Sequence, residues 1–160
     1  MSDESMYFLK LDGVIGEGDK PNHVNEIPVL GWSWSGSSTS TVGKAGGSGA
    51  PTVTFDPINI TAILDSGVAK LANFFATGKH IATGQVSCLK TGNGAKDYFT
   101  LALTEIFVQY FGLNASGGMP VVQLALTFKT VVSTYSKQAT DGTLSATAPT
   151  TIDASTGVAS

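Results

Sequence analysis

Val121-Val-Gln-Leu-Ala-Leu-Thr-Phe-Lys-Thr-Val-Val-Ser-Thr-Tyr135 alternates in character along most of its length. Val122, Leu124, Leu126 and Phe128 fall on one face, and Gln123, Thr127 and Lys129 on the other. A period of two is the pleat of a β-strand, with one face packed and the other wet or shared with a neighbour. The stretch predicts the longest strand of the chain. Upstream of it, residues 114–120 form a Gly-rich turn, and residues 98–111 predict another long strand, with Phe99, Leu101 and Leu103 on one face. The apolar phase of that strand changes around Thr104 to Ile106, which predicts a bulge or a bend.

The rest of the chain reads outward from this pair. Residues 81–89 predict a strand that ends at Thr91-Gly-Asn-Gly94, the composition of a hairpin connection. Residues 65–77 predict the one helix. Val68, Leu71, Ala72 and Phe75 recur at helical spacing, Phe74 widens the stripe, and Asp65 or Ser66 supplies a cap. Gly78 stands where a left-handed closing residue belongs, followed by Lys79 and His80. Residues 52–55 predict a short strand, broken at Asp56-Pro57, with Ile58 and Ile60 beyond. Residues 27–35 alternate again, with Leu30, Trp32 and Trp34 expected on one face and Ser33 and Ser35 on the other. Residues 6–11 predict a first strand, followed by Asp12-Gly13 and a polar stretch over 16–25.

Two segments carry too little apolar surface to order themselves. Residues 36–50 are almost all Gly, Ser and Thr, apart from Val42, Lys44, Ala45 and Ala50. A loop of that length inside a compact domain is usually functional or disordered. Residues 138–160 read as a tail on composition. With strands at both ends and one helix between them, a doubly wound α/β sheet is excluded. The fold class is mainly β: a closed or nearly closed β-barrel, or a sandwich, with one flanking helix.

Composition narrows the function. The chain has 160 residues, 42% of them hydrophobic and 13% charged, with a net charge of −3. Ordinary domains carry about 25% charged residues, so this surface must be covered by small polar residues or hidden against a partner. Every basic residue is a lysine. The missing guanidinium fork argues against nucleic acid, and no basic amphipathic stretch supports binding to an anionic membrane. No segment reaches the ~20 apolar residues of a spanning helix, so no membrane insertion is expected. The start, Met1-Ser-Asp-Glu-Ser-Met6, has neither the basic nor the apolar region of a signal peptide. Synthesis and folding in the cytoplasm are expected, with any export in the folded state.

Candidate chemistry is sparse. His23 lies in a polar loop and reads as solvated or locally hydrogen-bonded; His80 follows a helix end and reads as structural. Two distant histidines and one cysteine do not make a zinc site. Cys88 stands within a strand and reads as an inert buried thiol. Gly43-Lys44-Ala-Gly-Gly-Ser-Gly49 lacks the closing Gly-Lys-Ser/Thr of a phosphate loop. Asp97 and Glu105 read as solvated residues flanking a strand, and no acidic dyad is held by local spacing. No nucleophile–base pair supports a hydrolase, and no cofactor or metal is expected. Trp32 and Trp34 read as core or subunit-interface residues.

Several blocks carry a family likeness. Phe8-Leu-Lys-Leu-Asp-Gly-Val-Ile-Gly-Glu17, His23, Glu26-Ile27 and Val29-Leu-Gly-Trp-Ser-Trp34 resemble the opening of the haemolysin-coregulated protein (Hcp) family, the tube proteins of bacterial type VI secretion systems. Ala76-Thr-Gly-Lys-His-Ile81 is similar to the family's segment after its helix, and residues 98–108 and 129–135 to its long strands. The likeness spans about residues 6–137, with Gly18 standing where the family commonly has Ser. It implies a two-sheet, partly open barrel with a flanking helix, similar to a phage tail tube. The tube-forming domain would be residues 1–137, and residues 138–160 a C-terminal extension. It implies a homohexameric ring, stacked rings inside a contractile sheath, a spike protein ahead of them and effector proteins in the lumen. The protein would be cytoplasmic before sheath contraction and extracellular after it. Val42, Gly43, Lys44, Ala45, Gly46 and Gly47 are the expected contact with a neighbouring subunit or ring. The competing expectation is a monomeric β-barrel that binds a ligand or carbohydrate.

Overall fold

The structure is a computed structural model, and it describes residues 6–39, 52–90 and 96–160. In chain order the elements are β1 (Tyr7–Leu11), β2 (Ile27–Ser33), β3 (Gly36–Ser38), β4 (Val53–Phe55), β5 (Ile58–Ile63) and α1 (Val68–Thr77). They continue with β6 (Ile81–Lys90), β7 (Lys96–Asn114), β8 (Val121–Thr127), β9 (Thr130–Gln138), β10 (Leu144–Ala146), β11 (Thr150–Asp153) and β12 (Val158–Ala159). The expected turn at 91–94 lies outside the described residues.

The long hairpin organises everything else. β7 pairs with β9 from Phe99↔Tyr135 to Thr104↔Thr130, and then with β8 from Phe107↔Thr127 to Asn114↔Val121. The stretch expected to be one strand over 121–135 is therefore two, parted at Phe128–Lys129 but facing the same partner. The reason is a shared bend. Opposite the break, Glu105 has a φ of 47°, the left-handed region, where the phase change in the sequence predicts a bend. Lys129 N donates to Thr104 O at 2.9 Å and keeps the two arms joined through it.

The bend closes a barrel. One half of β7 pairs with β6, the other with β8, and the chain of neighbours β6–β1–β2–β5–β8 completes the circuit of six strands. Leu9, Leu11, Ile27, Val29, Ile58, Ile60, Val86, Leu101, Leu103, Leu124, Leu126 and Val131 fill its interior. The mainly β barrel with a flanking helix is the fold anticipated from the sequence, and here the barrel is closed. β9 lies beyond β7 and carries β10 and β11 on its outer edge, with β12 beyond β11. Residues 138–160, a tail on composition, thus include three strands. Backbone pairing with β9 and the packing of Ile152 on the core supply what their small side chains lack.

Two local expectations shift. β2 has a bulge between Val29 and Gly31, which turns Leu30 outward, 53% exposed, while Trp32 and Trp34 pack against the core. In α1, Leu71 and Phe74 are buried and Phe75 is 43% exposed, so the helix turns Phe74 rather than Phe75 inward. The helix begins later than expected, with Gly67 as its N-cap and no side-chain cap. Asp65 instead braces the preceding turn, accepting from Gly67 N at 2.9 Å and from Glu17 N at 2.9 Å. Gly78 closes the helix in the left-handed conformation, as anticipated.

Candidate assembly surface

The loop from Asp12 to Glu26 is fastened to the outside of β1. Phe8 points away from the barrel interior yet is fully buried, because the His23 ring stacks on it at 4.9 Å. The His23 ring is itself only 3% exposed. Its Nδ1 meets the Glu26 carboxylate, and its Nε2 lies 2.8 Å from Asp97 Oδ1 on β7. The local hydrogen bond expected of His23 is present. Asp97, expected to be solvated, is tied to it across 74 residues of chain. Periodicity gave no hint of that contact, because it joins a loop to a distant strand end. Burial pushes the Glu26 carboxyl above its ordinary value, against the opposing pull of His23 and Lys10.

Gly16 and Gly18 are what let this loop lie so close. A Cβ on Gly16 would stand 2.6 Å from Glu26 O, and one on Gly18 2.5 Å from His23 O. Both glycines also donate their amides across the loop, Gly16 N to Asn25 O at 2.8 Å and Gly18 N to Glu26 O at 2.8 Å. At the far end Glu17 Oε2 accepts from Ser66 N at 3.0 Å, which joins the loop to the start of α1. The arrangement is a structural lock.

The closed circuit still leaves one stretch of strand edge open among the described residues. Beyond Ile106, β7 pairs only with β8 among the described residues, so its other edge offers free backbone groups. Phe107, Tyr110 and Leu113 on this half-strand are exposed, as is Phe75 on the neighbouring helix. Phe75 stacks on Phe111 at 6.1 Å, and His80 lies 5.8 Å from Phe107. Apolar side chains beside an open strand edge are a surface that association would cover.

The second feature is a β-arm. β3 and β4 pair from Gly36↔Phe55 to Ser38↔Val53 as a separate two-stranded sheet. Residues 36–38, expected to be loop, are the first strand of that arm. Val42, Gly43, Lys44, Ala45, Gly46 and Gly47 fall between the two strands in sequence and lie outside the described residues.

The remaining sequence candidates sit apart from this surface. Cys88 is buried, and burial pushes its thiol above the ordinary value despite a hydrogen bond involving Trp32. It lines a crevice of about 370 Å³ with Tyr7, Leu30, Gly31, Trp32, Tyr98 and Phe99. No group of three or more potential metal ligands occurs among the described residues. No helix there is long and apolar enough to cross a membrane.

Comparison with known proteins agrees with this geometry. The chain is similar over 96% of its length, with a TM-score of 0.84 and 22% identity, to the solved structure of a type six secretion system protein, of which 98% is covered. It is similar to Hcp1 from Salmonella typhimurium at a TM-score of 0.76 and 24% identity, over 96% of this chain and 97% of that one. A type VI secretion system effector from Yersinia pestis gives a TM-score of 0.71 and 22% identity, over 92% and 98% of the two chains. At these identities the likeness establishes the fold. No curated protein sequence matches. The family described as type VI secretion system effector, Hcp, matches residues 8–135, four-fifths of the chain, and this protein belongs to that family.

Proposed function

We propose that this chain is the structural subunit of the inner tube of a type VI secretion system. Six copies form a ring, and rings stack into a hollow tube within a contractile sheath and behind a spike protein. Contraction drives the tube out of the cell with effector proteins in its lumen. Before contraction the protein is cytoplasmic, and afterwards it is extracellular. Residues 1–137 form the tube-building domain and 138–160 an extension carried with it. The role is mechanical and needs no catalytic group.

The observation that supports the reading, beside family membership, is the open edge of β7. A chain with 13% charged residues places Phe107, Tyr110 and Leu113 in the open along an unpaired strand edge. Association with further copies removes that apolar area from water, at about 25 cal/mol per Å², and gives the edge a partner. The segment from Val42 to Gly47 is proposed to reach a neighbouring subunit or ring.

Light scattering after size exclusion, with electron microscopy of the same sample, tests this. The parent protein is expected as rings of several times the chain mass. Tyr110→Asp combined with Leu113→Asp is expected to yield monomers that melt within a few degrees of the parent. A parent protein that stays monomeric at high concentration overturns the reading and favours the ligand-binding alternative.

A further inference from the structure

The β3–β4 arm cannot fix its own direction. Each strand has three residues, all of β3 is exposed, and an isolated two-stranded hairpin is marginal in water. Its orientation must come from whatever holds its root. On one side that is the bend of the long hairpin. Trp34 stacks on Phe55 at 5.7 Å and meets Phe128 edge-on at 5.8 Å. Ser35 Oγ donates to Asp56 Oδ2 at 2.8 Å, and Asp56 N to Ser35 O at 2.9 Å.

On the other side is the end of the chain. We propose that the turn from Asp153 to Gly157 is the fixed support of the arm, so that the last residues of the chain set the angle at which it leaves the barrel. Ala154 lines a narrow crevice with Phe55, Asp56, Pro57, Thr127 and Phe128, which places the turn against the arm's root. A Cβ built on Gly157 stands 3.9 Å from Val53 Cβ, ordinary contact with β4.

The turn is stiff enough for this role. Asp153 Oδ1 accepts from Ser155 N at 2.9 Å, Ser155 Oγ at 2.5 Å and Thr156 N at 3.3 Å. Gly157 N donates to Asp153 O at 2.8 Å, with Gly157 at a φ of 71°. The turn is also anchored to the barrel's spine. Ala154 N donates to Lys129 O at 2.7 Å, and β11 pairs with β9 from Thr150↔Ser133 to Asp153↔Thr130. A run of Ala, Ser, Thr and Gly, unpromising as a fold-former, suits a turn that must pass close to a neighbouring strand. Where residues 42–47 meet another copy, a consequence that rests on the tube reading above, the C-terminus governs that contact from a distance.

Amide hydrogen exchange in the full-length chain tests the support. Thr39 N donates to Thr52 O at 3.0 Å and Asp56 N to Ser35 O, so these amides report the arm. Asp153→Ala is expected to speed their exchange roughly fivefold by freeing the turn, while Asp12 N, bonded to Thr83 O in the barrel, keeps its parental rate. Asp153→Asn, whose amide oxygen can still accept from Ser155 and Thr156, is expected to keep nearly the parental exchange at the same two amides. Unchanged exchange at Thr39 and Asp56 in Asp153→Ala overturns the inference, as does exchange in Asp153→Asn that speeds as much as in Asp153→Ala. Both readouts are made on the unassembled chain, so a failure of the tube reading appears separately, as absent rings in the parent protein.

Discussion

His23 Nε2 lies 2.8 Å from Asp97 Oδ1 while its Nδ1 faces Glu26, so one imidazole joins a loop to a strand that begins more than seventy residues later. Each contact needs a proton between nitrogen and oxygen. The ring also covers Phe8. Removing it leaves the buried Glu26 carboxylate without its partner and uncovers an aromatic ring. His23→Ala is expected to cost about 3 kcal/mol, the scale for breaking a buried pair by deleting one member. Urea unfolding measures it, and a cost below about 1 kcal/mol would place the pair among solvated surface contacts.

The Glu26 carboxyl fixes the sign of one pH dependence. Its value is raised from 4.5 in the folded protein, chiefly by burial. The folded state therefore holds this proton more tightly than the unfolded chain does. The resulting stabilisation is fully present below pH 4.5 and is lost as pH rises through the higher folded value. His23, Asp97 and Lys10 are the ionisable groups that act on Glu26. Glu26→Gln is expected to flatten the fall in stability over that window. Parallel slopes for parent and variant, from urea melts across the window, would contradict the assignment.

The loop over Phe8 has no room for two methyl groups. Gly16→Ala and Gly18→Ala each push a Cβ to within about 2.6 Å of a backbone carbonyl oxygen. Neither oxygen can retreat without breaking a hydrogen bond it accepts within the loop, Glu26 O from Gly18 N and His23 O from Glu26 N. Each substitution is expected to cost about 2 kcal/mol, and the two together less than the sum because they strain one loop. Thermal melts of the three variants read this directly. A fully additive double variant would separate the two sites.

Glu105 carries the bend at a φ of 47°. A β-branched residue is strained there, so Glu105→Val is expected to cost about 1–2 kcal/mol. Glu105→Gly relieves the backbone and is expected to be neutral within about 0.5 kcal/mol. If both variants melt alike, the bend is set by the surrounding pairings and not by the residue.

Much of this fold was legible as period-two patterning. Leu101 and Leu103, like Leu124 and Leu126, point inward as their alternation requires. The phase change near Thr104 marked the corner that closes the barrel, although nothing in the pattern said that the facing strand breaks there too. What the sequence hid was mostly non-local. Leu30 leaves its face because of a bulge, which a pairing partner defines. Phe74 and Phe75 exchange roles because the helix sits where the Asp65 turn places it. β10 and β11 form because β9 offers an open edge, and β12 follows by pairing with β11. The candidate assembly surface was legible only as a shortage of charge. Which residues fill it depends on where β6 stops pairing with β7, and no local signal marks that place.

β7 runs unbroken for 19 residues, bonded along its first half to strands on both sides and along its second half to β8. A force along its axis would load those hydrogen bonds in shear, so they must fail together instead of one after another. The same strand belongs to the barrel and to the C-terminal wing, so thrust applied to either is shared by both. A chain built on such a strand resists being drawn out along it.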